Sequence, residues 1–338
     1  MSETRQFWAL ILAAGDGSRL RALTTRPCGT SVPKQFCSLS GGRSLLEDAV
    51  DRARGVVAPQ RICTIVAQQH WQWWSTMDAL AQLPPDNLIV QPRNRGTAIG
   101  ILYALTHILC SDPDAHVVVL PADHYVRDEA TLRMALLGAM ARVLRDSQRP
   151  VLLGMEPDEL DTDLGYIVPA GADPHGGHRV ARFVEKPDSE LAAEMLPAGA
   201  LWNMFVIASR ASTLVNLFLT RYAPLVMEMQ VIVSRSRSAG SPTAGWPAIV
   251  AMYERLPYLD FSRDLLEQQE SSLCVHEVPR CGWSDLGTPS RVGQTLRRLR
   301  PGEHDTRTRS PAYMNLAAQH GRYASREGSQ GPGGSAAT

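Results

Sequence analysis

The residues best suited to chemistry lie in a glycine turn that follows an apolar run near the start of the chain. The run Phe7–Ala13 leads into Ala14-Gly15-Asp16-Gly17-Ser18-Arg19. Glycine has no Cβ, so a glycine turn brings backbone N–H groups close to an anion. Arg19 and Lys34 add fixed positive charge. The pattern predicts a phosphate-binding turn, although a lone Gly-x-Gly is also typical of an ordinary strand-to-helix connection.

Two acids in similar settings indicate a magnesium site. Asp123 ends the apolar run His116–Asp123, and Asp285 stands in the segment Gly282–Gly287. Mg²⁺ prefers hard oxygen ligands and takes its remaining ligands from water and substrate phosphates. Each acid alone is equally typical of a helix cap or a turn. Only the fold can bring the two together.

A third group of polar residues suits a phosphorylated sugar. Pro187 favours an extended conformation at Lys186, so the side chains of Glu185 and Lys186 are expected to point in opposite directions. The Glu185 carboxylate can accept bonds from sugar hydroxyls, and Lys186 can meet a phosphate. The alternative is a surface ion pair that closes a strand. Asn203 adds an amide that donates and accepts, or is a simple strand-edge residue.

The elements that must position these residues alternate through the first half of the chain. Apolar strands followed by amphipathic helices predict a parallel sheet with right-handed crossovers and helices on both faces. Ligands then gather at the carboxyl ends of the strands. The predicted strand–helix pairs are Phe7–Ala13 with Leu45–Ala53, Ile62–Ala67 with Trp71–Gln82, Leu88–Gln91 with Thr97–Leu109, and Val117–Pro121 with Glu129–Leu144.

The pattern changes after residue 150 to mixed β segments, which predict a smaller antiparallel lobe laid against the parallel sheet. We therefore expect an α/β domain over 1–300, with a nucleotide-binding part over 7–150 and a sugar-binding part with closing helices over 151–300. Residues 301–338 are polar and rich in glycine, and we expect a disordered tail there. The predicted strands are Val151–Met155, Gly165–Val168, Arg179–Glu185, Leu201–Ala208 and Leu273–Val278; the predicted helices are Ser189–Leu196, Ala211–Leu219, Ala223–Ser236, Ala248–Leu256 and Pro289–Leu299.

Composition excludes several classes of function. Lysine plus arginine (34) equals aspartate plus glutamate (34), so no general charge draws the protein to nucleic acid or to an anionic membrane. The 6 cysteines form no C-x-x-C pair, which argues against zinc and favours a reducing compartment. The first apolar run lacks a cleavage pattern and is interpreted as a core strand, and no run is long enough to cross a bilayer. We expect a cytoplasmic protein.

Taken in order, the motifs of residues 7–298 resemble the sugar-1-phosphate nucleotidyltransferases, and within that family the mannose-1-phosphate guanylyltransferases. The resemblance implies a Rossmann-like, mostly parallel sheet with a smaller mixed β sugar-binding lobe, the nucleotide-diphospho-sugar transferase fold. It also implies transfer of GMP from GTP to mannose 1-phosphate with Mg²⁺, giving GDP-mannose and pyrophosphate. The motifs are Leu12–Leu20, Val32–Phe36, Gln91–Ala98, Leu120–His124, Gly165–Ile167, Phe183–Asp188, Trp202-Asn203 and Trp283–Gly287.

The resemblance assigns a role to each matching position. The implied catalytic residues are Arg19, Lys34 and Asp123; the nucleotide-binding residues are Ala14, Gly15, Gly17, Ser18, Asn94, Gly96 and Thr97; the sugar phosphate-binding residues are Gly165, Glu185, Lys186 and Asn203; and the magnesium ligands are Asp123 and Asp285. The implied partners are small molecules, a nucleoside triphosphate and a sugar 1-phosphate, and a homo-oligomer is compatible with them.

The chain departs from the family pattern at several points. Ala22 replaces a usual proline, the segment Thr25–Ser31 lengthens the gap before Lys34, and Trp202–Phe205 lacks the usual Ser-Gly pair after its asparagine. Because of these differences, a substrate with a different base or a different hexose remains an alternative. The C-terminal isomerase domain of some members has no counterpart, so no second activity is expected.

Two other functions start from the same first strand and turn. A dehydrogenase would carry G-x-G-x-x-G and an acid about 20 residues later, but Arg19 interrupts that pattern. A noncatalytic nucleotide-sugar sensor is suggested only by the longer loop and the shortened Trp-Asn motif. A sensor is disfavoured by the presence of Lys34, Asp123, Glu185 and Asp285.

Overall fold

One continuous sheet runs through the protein. A computed structural model describes residues 6–26, 28–238 and 245–299 together with residues 315, 316 and 319. Within them the sheet has nine strands in the order β3-β2-β1-β4-β8-β5-β9-β7-β6. The strands are β1 (Trp8–Ala13), β2 (Ile62–Ala67), β3 (Leu88–Gln91), β4 (His116–Pro121), β5 (Val151–Met155), β6 (Gly165–Ala172), β7 (His178–Glu185), β8 (Leu201–Arg210) and β9 (Cys274–Val278).

Helices connect the strands and cover both faces of the sheet. Ser44 begins α2 with a capping box to Glu47, and Asp128 caps α6 at Thr131. These caps satisfy backbone N–H groups that have no partner within the helix. The helices are α1 (Arg21–Thr24), α2 (Leu45–Arg54), α3 (Trp71–Trp74), α4 (Asp78–Ala81), α5 (Thr97–Ser111), α6 (Glu129–Arg145), α7 (Ser189–Met195), α8 (Ala211–Ser238), α9 (Trp246–Arg255), α10 (Phe261–Asp264) and α11 (Pro289–Arg298).

The first four strands are parallel, as the alternating pattern predicts. β1 pairs with both β2 and β4 in parallel register, and β3 adds to β2. Val118 and Leu120 of β4 face one apolar core, while Val117 and Val119 face the other. Burial on both faces explains why these strands are continuously apolar. The carboxyl ends of β1, β3 and β4 therefore open on one edge.

The second half extends the same sheet. β8 is antiparallel to β4 and β5, whereas β9 is parallel to β5. β6 and β7 form an antiparallel hairpin at the far end. The predicted fold class is confirmed, with one difference: the lobe is not laid against the parallel sheet but hydrogen-bonded into it through β8.

One predicted helix takes another form, and two others meet at a kink. The span Trp71–Gln82 divides into α3 and α4, because Trp-Gln-Trp-Trp has weak helix propensity and short helices need tertiary support. Trp73 is buried, but Trp71 is exposed, and the indole of Trp74 donates to the Ala67 carbonyl. The two helices predicted over 211–236 are both present within α8, on either side of a kink at Tyr222, whose backbone angles are non-helical, just before Pro224.

The C-terminal part beyond residue 299 is described only at three positions. Asn315 forms a parallel bridge with Ser38, and Leu316 is fully buried and donates its backbone N–H to Ser38. These residues differ from the disorder expected for 301–338. The remaining tail lies outside the described residues, so the domain division stays a prediction. None of the helices in the described part combines the length and hydropathy that crossing a bilayer requires.

Candidate active site

Lys34 joins motifs that are far apart in the chain. Its Nζ lies 3.0 Å from Oδ2 of Asp123 and donates to the backbone carbonyl of Asp285 at 2.5 Å. Only 7% of the lysine side chain is exposed. A buried ammonium needs anionic or dipolar partners, and both come from candidate metal-ligating segments. The fold therefore brings Lys34, Asp123 and Asp285 to one place, as the sequence requires.

The longer loop before Lys34 does not displace it. Thr25 and Ser31 form an antiparallel bridge, and the N–H of Val32 donates to the Thr24 carbonyl at 2.8 Å. The ends of the extra segment are thus held together, and the chain resumes its path immediately before Lys34.

The glycine turn lines a cavity of about 470 Å³. Gln35 fixes the turn, because its Nε2 donates to the carbonyls of Ala13 and Gly15 at 2.9 Å each. A Cβ on Gly15 would meet no protein atom within 4 Å, so that space is open to a ligand. Every predicted catalytic and nucleotide-binding residue lines this cavity: Ala14, Gly15, Gly17, Ser18, Arg19, Lys34, Asn94, Gly96, Thr97 and Asp123.

The segment after β3 is held by close backbone contact. Gly96 has φ +90° and begins α5, and a Cβ there would lie 2.0 Å from the Leu259 carbonyl oxygen. Oδ1 of Asn94 accepts from the Gly96 N–H at 2.9 Å, and Oγ1 of Thr97 accepts from the Phe261 N–H at 2.8 Å. These polar groups therefore shape the cavity wall by bonding to the protein.

A smaller cavity of about 240 Å³ adjoins the first, and Gly15, Arg19, Thr97 and Asp123 line both. Gly165, Glu185, Lys186 and Asp285 line it as well. Asn203 does not: it lies behind Gly165, and its Oδ1 accepts from the Phe205 N–H at 3.0 Å. The structure thus gathers the predicted sugar phosphate-binding residues around one cavity, except that Asn203 supports the wall from behind.

The carboxyl groups differ in their electrostatics. Burial is the largest influence on Asp123 and opposes its ionisation, but the charge of Lys34 together with weaker charges and hydrogen bonds holds the pKa below its usual value. Hydrogen bonding from His70 holds the pKa of Asp16 below its usual value against burial. On the other side, burial raises the pKa of Glu185 despite Lys186, and burial raises the pKa of Asp285 despite Lys34.

Arg291 is a site residue that the motifs did not reveal. This buried side chain lies with Nε 3.1 Å from Oδ1 of Asp285, contacts Asp161, and packs over the Trp202 ring. Arg19 adds a second cation 4.0 Å from Oδ2 of Asp285. Arg291 lies in α11, and nothing in its local sequence marks it. Only the fold shows that Asp285 is held between two arginines.

His124 and Trp283 connect the two acidic segments. The Trp283 indole donates to Nδ1 of His124 at 3.2 Å, which leaves Nε2 facing Oδ1 of Asp123 at 3.7 Å. Burial lowers the pKa of His124 to about 3, so the imidazole is neutral and its proton sits on Nε2. His124 therefore lies beside Asp123 as a neutral side chain.

Two non-glycine residues with positive φ line the smaller cavity, Lys186 (56°) and Phe205 (54°), and a third, Leu286 (48°), follows Asp285 in the chain. The extended conformation predicted for Lys186 is wrong. Its N–H donates to the Leu164 carbonyl at 3.2 Å, and its ammonium lies 3.3 Å from Oε1 of Glu185, so the two side chains meet instead of diverging. Tertiary pairing has overridden the local preference imposed by Pro187. Such strain concentrates at functional sites.

The donor set fits a magnesium ion. Asp123 and Asp285 line the same cavity, and the charge of Asp123 contributes to the raised pKa of Asp285. A cation would relieve this repulsion. In the described residues no group of three or more His, Cys, Asp or Glu side chains forms a metal site. Two carboxylates with substrate phosphates are the set that Mg²⁺ accepts.

Comparison with known proteins supplies the context for this geometry. The chain is 30% identical over 305 residues to mannose-1-phosphate guanylyltransferase of Escherichia coli K12, covering 85% of this chain and 59% of that protein. It is 30% identical over 284 residues to alginate biosynthesis protein AlgA of Pseudomonas putida, covering 82% and 56% respectively. The chain thus spans less than two thirds of the length of these relatives.

A solved structure from Thermus thermophilus, described as a mannose-1-phosphate geranyltransferase, is 26% identical with a TM-score of 0.69, covering 88% of this chain and 81% of that one. A putative glucose-1-phosphate thymidylyltransferase from Bacillus anthracis, at 15% identity and a TM-score of 0.55, shares the fold; the match covers 91% of this chain and 100% of that one. A family model described as nucleotidyl transferase matches residues 8–298, and the chain belongs to that family.

Proposed function

We propose that this protein transfers GMP from GTP to mannose 1-phosphate in the presence of Mg²⁺, giving GDP-mannose and pyrophosphate. The main support for the proposal is that Lys34 contacts both Asp123 and the Asp285 backbone where the two cavities join. The 30% identity to the Escherichia coli guanylyltransferase supports the choice of substrates.

The larger cavity suits the larger substrate and the smaller cavity the smaller one, and the side chains in each suit the groups of that substrate. The larger one, with the glycine turn, Arg19 and Lys34, suits a triphosphate. The smaller one presents the Glu185 carboxylate and the Lys186 ammonium, which suit sugar hydroxyls and a phosphate respectively. Asp123 belongs to both, so a phosphate oxygen from one cavity and an α-phosphorus from the other would meet beside it.

The chemistry needs positioning and charge neutralisation more than a nucleophilic side chain. A phosphate oxygen of the sugar 1-phosphate attacks the α-phosphorus in line, a new P–O bond forms, and the bond to pyrophosphate breaks. The sugar phosphate is already ionised near neutral pH, since its second pKa is about 6, so no strong base is required. Arg19 and Lys34 offset the negative charge of the reacting phosphates. Mg²⁺ held by Asp123 and Asp285 would neutralise phosphate charge and align the two reactants.

A matrix of nucleoside triphosphates against hexose 1-phosphates tests this function, with pyrophosphate release as the signal. We expect the highest kcat/KM with GTP and mannose 1-phosphate, and loss of turnover when EDTA removes the divalent cation. Faster turnover of another pair would keep the reaction class and overturn the substrates. Binding of nucleotide without pyrophosphate release under any pair would favour a noncatalytic sensor.

A further inference from the structure

Asp16 is a carboxylate inside a cavity that must receive a polyanion. It stands between the two glycines of the turn and lines the larger cavity. Its Oδ1 accepts from Nε2 of Gln69 at 2.6 Å and lies 3.2 Å from Nε2 of His70. Its Oδ2 accepts from Nδ2 of Asn94 at 3.0 Å. One side chain therefore ties together the loops that follow β1, β2 and β3.

The sheet order places Asp16 away from the reacting phosphates. Asp16 is tied to residues that follow β2 and β3, which lie on one side of β1. Asp123 follows β4, on the other side of β1, and is paired there with Lys34. A nucleotide with its α-phosphorus beside Asp123 must direct its nucleoside toward β2 and β3. Asp16 therefore faces the base end of the cavity, where its charge does not oppose the phosphates.

Asp16 retains capacity for one more hydrogen bond. An ionised carboxylate offers about four acceptor sites. Gln69 and His70 occupy those of Oδ1, and Asn94 occupies one of Oδ2. The side chain is 39% exposed, and it opens on the cavity. One acceptor direction on Oδ2 therefore remains for a donor on the ligand.

We propose, on the basis of the function proposed above, that Oδ2 of Asp16 accepts a hydrogen bond from the 2-amino group of guanine and so selects GTP. Adenine has no amino group at this position, and hypoxanthine differs from guanine only by lacking it. A charged acceptor makes a stronger bond than a neutral one, and a site built for a donor discriminates against the analogue without it. Asp16 is thus a specificity-determining residue, held in place by three protein donors.

Comparison of GTP with ITP tests the proposal directly. In the wild-type protein we expect kcat/KM to be at least about tenfold higher for GTP than for ITP, which corresponds to about 1.4 kcal/mol. In Asp16→Asn the amide oxygen can keep the bonds from Gln69 and His70, while the amide nitrogen replaces Oδ2, offers only a donor and gives up the bond from Asn94. The ratio should then fall close to one, chiefly through loss of GTP turnover.

Gln69→Ala is the matched control, because Gln69 bonds to Asp16 but does not line the cavity. It should preserve the GTP/ITP ratio even if it lowers both rates. An unchanged ratio in Asp16→Asn, equal use of GTP and ITP by the wild type, or an equal fall of the ratio in Gln69→Ala would each overturn the inference. The proposed function fails separately, if the wild type releases no pyrophosphate with GTP and mannose 1-phosphate.

Discussion

The two cavities achieve tight backbone geometry in different ways. Around the larger one, positive φ falls on glycines, Gly17 (60°) and Gly96 (90°). Around the smaller one, it falls on Lys186 and Phe205, which carry side chains. A left-handed conformation costs a non-glycine residue about 1–2 kcal/mol. The larger cavity, the proposed nucleotide side, is therefore built from residues that adopt their turns freely. The smaller cavity, the proposed sugar side, holds strained residues in place by surrounding contacts.

The acids also differ from one another, although Asp123 lines both cavities. Asp16 and Asp123 have lowered pKa values because hydrogen bonds or a lysine stabilise their charge, whereas burial raises the pKa of Glu185 and Asp285. The larger cavity is thus charged and preorganised before any ligand arrives. The smaller cavity holds carboxylates whose charged form is less stable, and sugar hydroxyls and a cation would stabilise that form. The predictions below start from the residue that both cavities share.

Asp123→Asn should have the largest effect, because Asp123 lines both cavities. The amide loses the charge that holds Lys34 and the predicted magnesium ion, so kcat should fall by about 10³-fold. Pyrophosphate release measures it. Asp114→Asn removes a surface acid paired with Arg210 and serves as control. Unaltered turnover in Asp123→Asn, with the control also active, would contradict the role proposed for Asp123 where the two cavities join.

Gly96→Ala tests whether the glycines of the nucleotide side are required by the protein itself. The added Cβ would lie 2.0 Å from the Leu259 carbonyl oxygen, and φ is +90°. We expect the free energy of unfolding to fall by about 3 kcal/mol. Urea denaturation of the variant measures it. Gly171→Ala, where a Cβ meets no atom within 4 Å, should leave stability nearly unchanged. Equal stability of the two variants would contradict the close-approach argument.

The sequence could predict this nucleotide side because its requirements are local. Glycines and apolar runs mark turns and buried strands, and β2, β3 and β5 begin and end at the predicted residues. The sugar side was harder to predict. The positive φ of Lys186 comes from pairing with the segment of Leu164, and the arginine against Asp285 comes from α11. These depend on contacts between distant segments, which spacing along the chain does not encode.

Glu185 tests whether the acids of the two cavities differ in pKa. Because its pKa is raised, Glu185 takes up a proton at a higher pH than an ordinary glutamate, and the neutral form accepts fewer bonds from sugar hydroxyls. Asp16, with a lowered pKa, stays ionised over the same range. From about pH 7.5 to about pH 5, the KM for mannose 1-phosphate should therefore rise before the KM for GTP does.

The substrate phosphate also titrates, with a pKa of about 6, so Glu185→Gln provides the control. At about pH 7.5 the variant should show a KM for mannose 1-phosphate about tenfold above that of the wild type, the loss of one charged hydrogen bond. The two proteins should converge as the pH falls. A constant ratio between them across the range would show that Glu185 does not titrate there.

The smallest effect concerns the strain itself. Lys186→Ala and Lys186→Gly both remove the ammonium that pairs with Glu185, but only glycine adopts φ 56° without cost. Lys186→Gly should therefore be more stable than Lys186→Ala by about 0.5–1 kcal/mol in urea denaturation, after allowance for the greater flexibility of unfolded glycine. Arg182, an exposed residue of β7 outside the set with positive φ, gives the matched pair.

At Arg182 the sign should reverse, because glycine weakens an ordinary strand position relative to alanine. Both Lys186 variants should raise the KM for mannose 1-phosphate equally, since neither carries a cation. Greater stability of the glycine variant together with that equal loss would show that the sugar side accepts backbone strain in order to place one ammonium. If alanine were the more stable at position 186, the smaller cavity would hold no strain there, and its difference from the glycine turns would be one of charge alone.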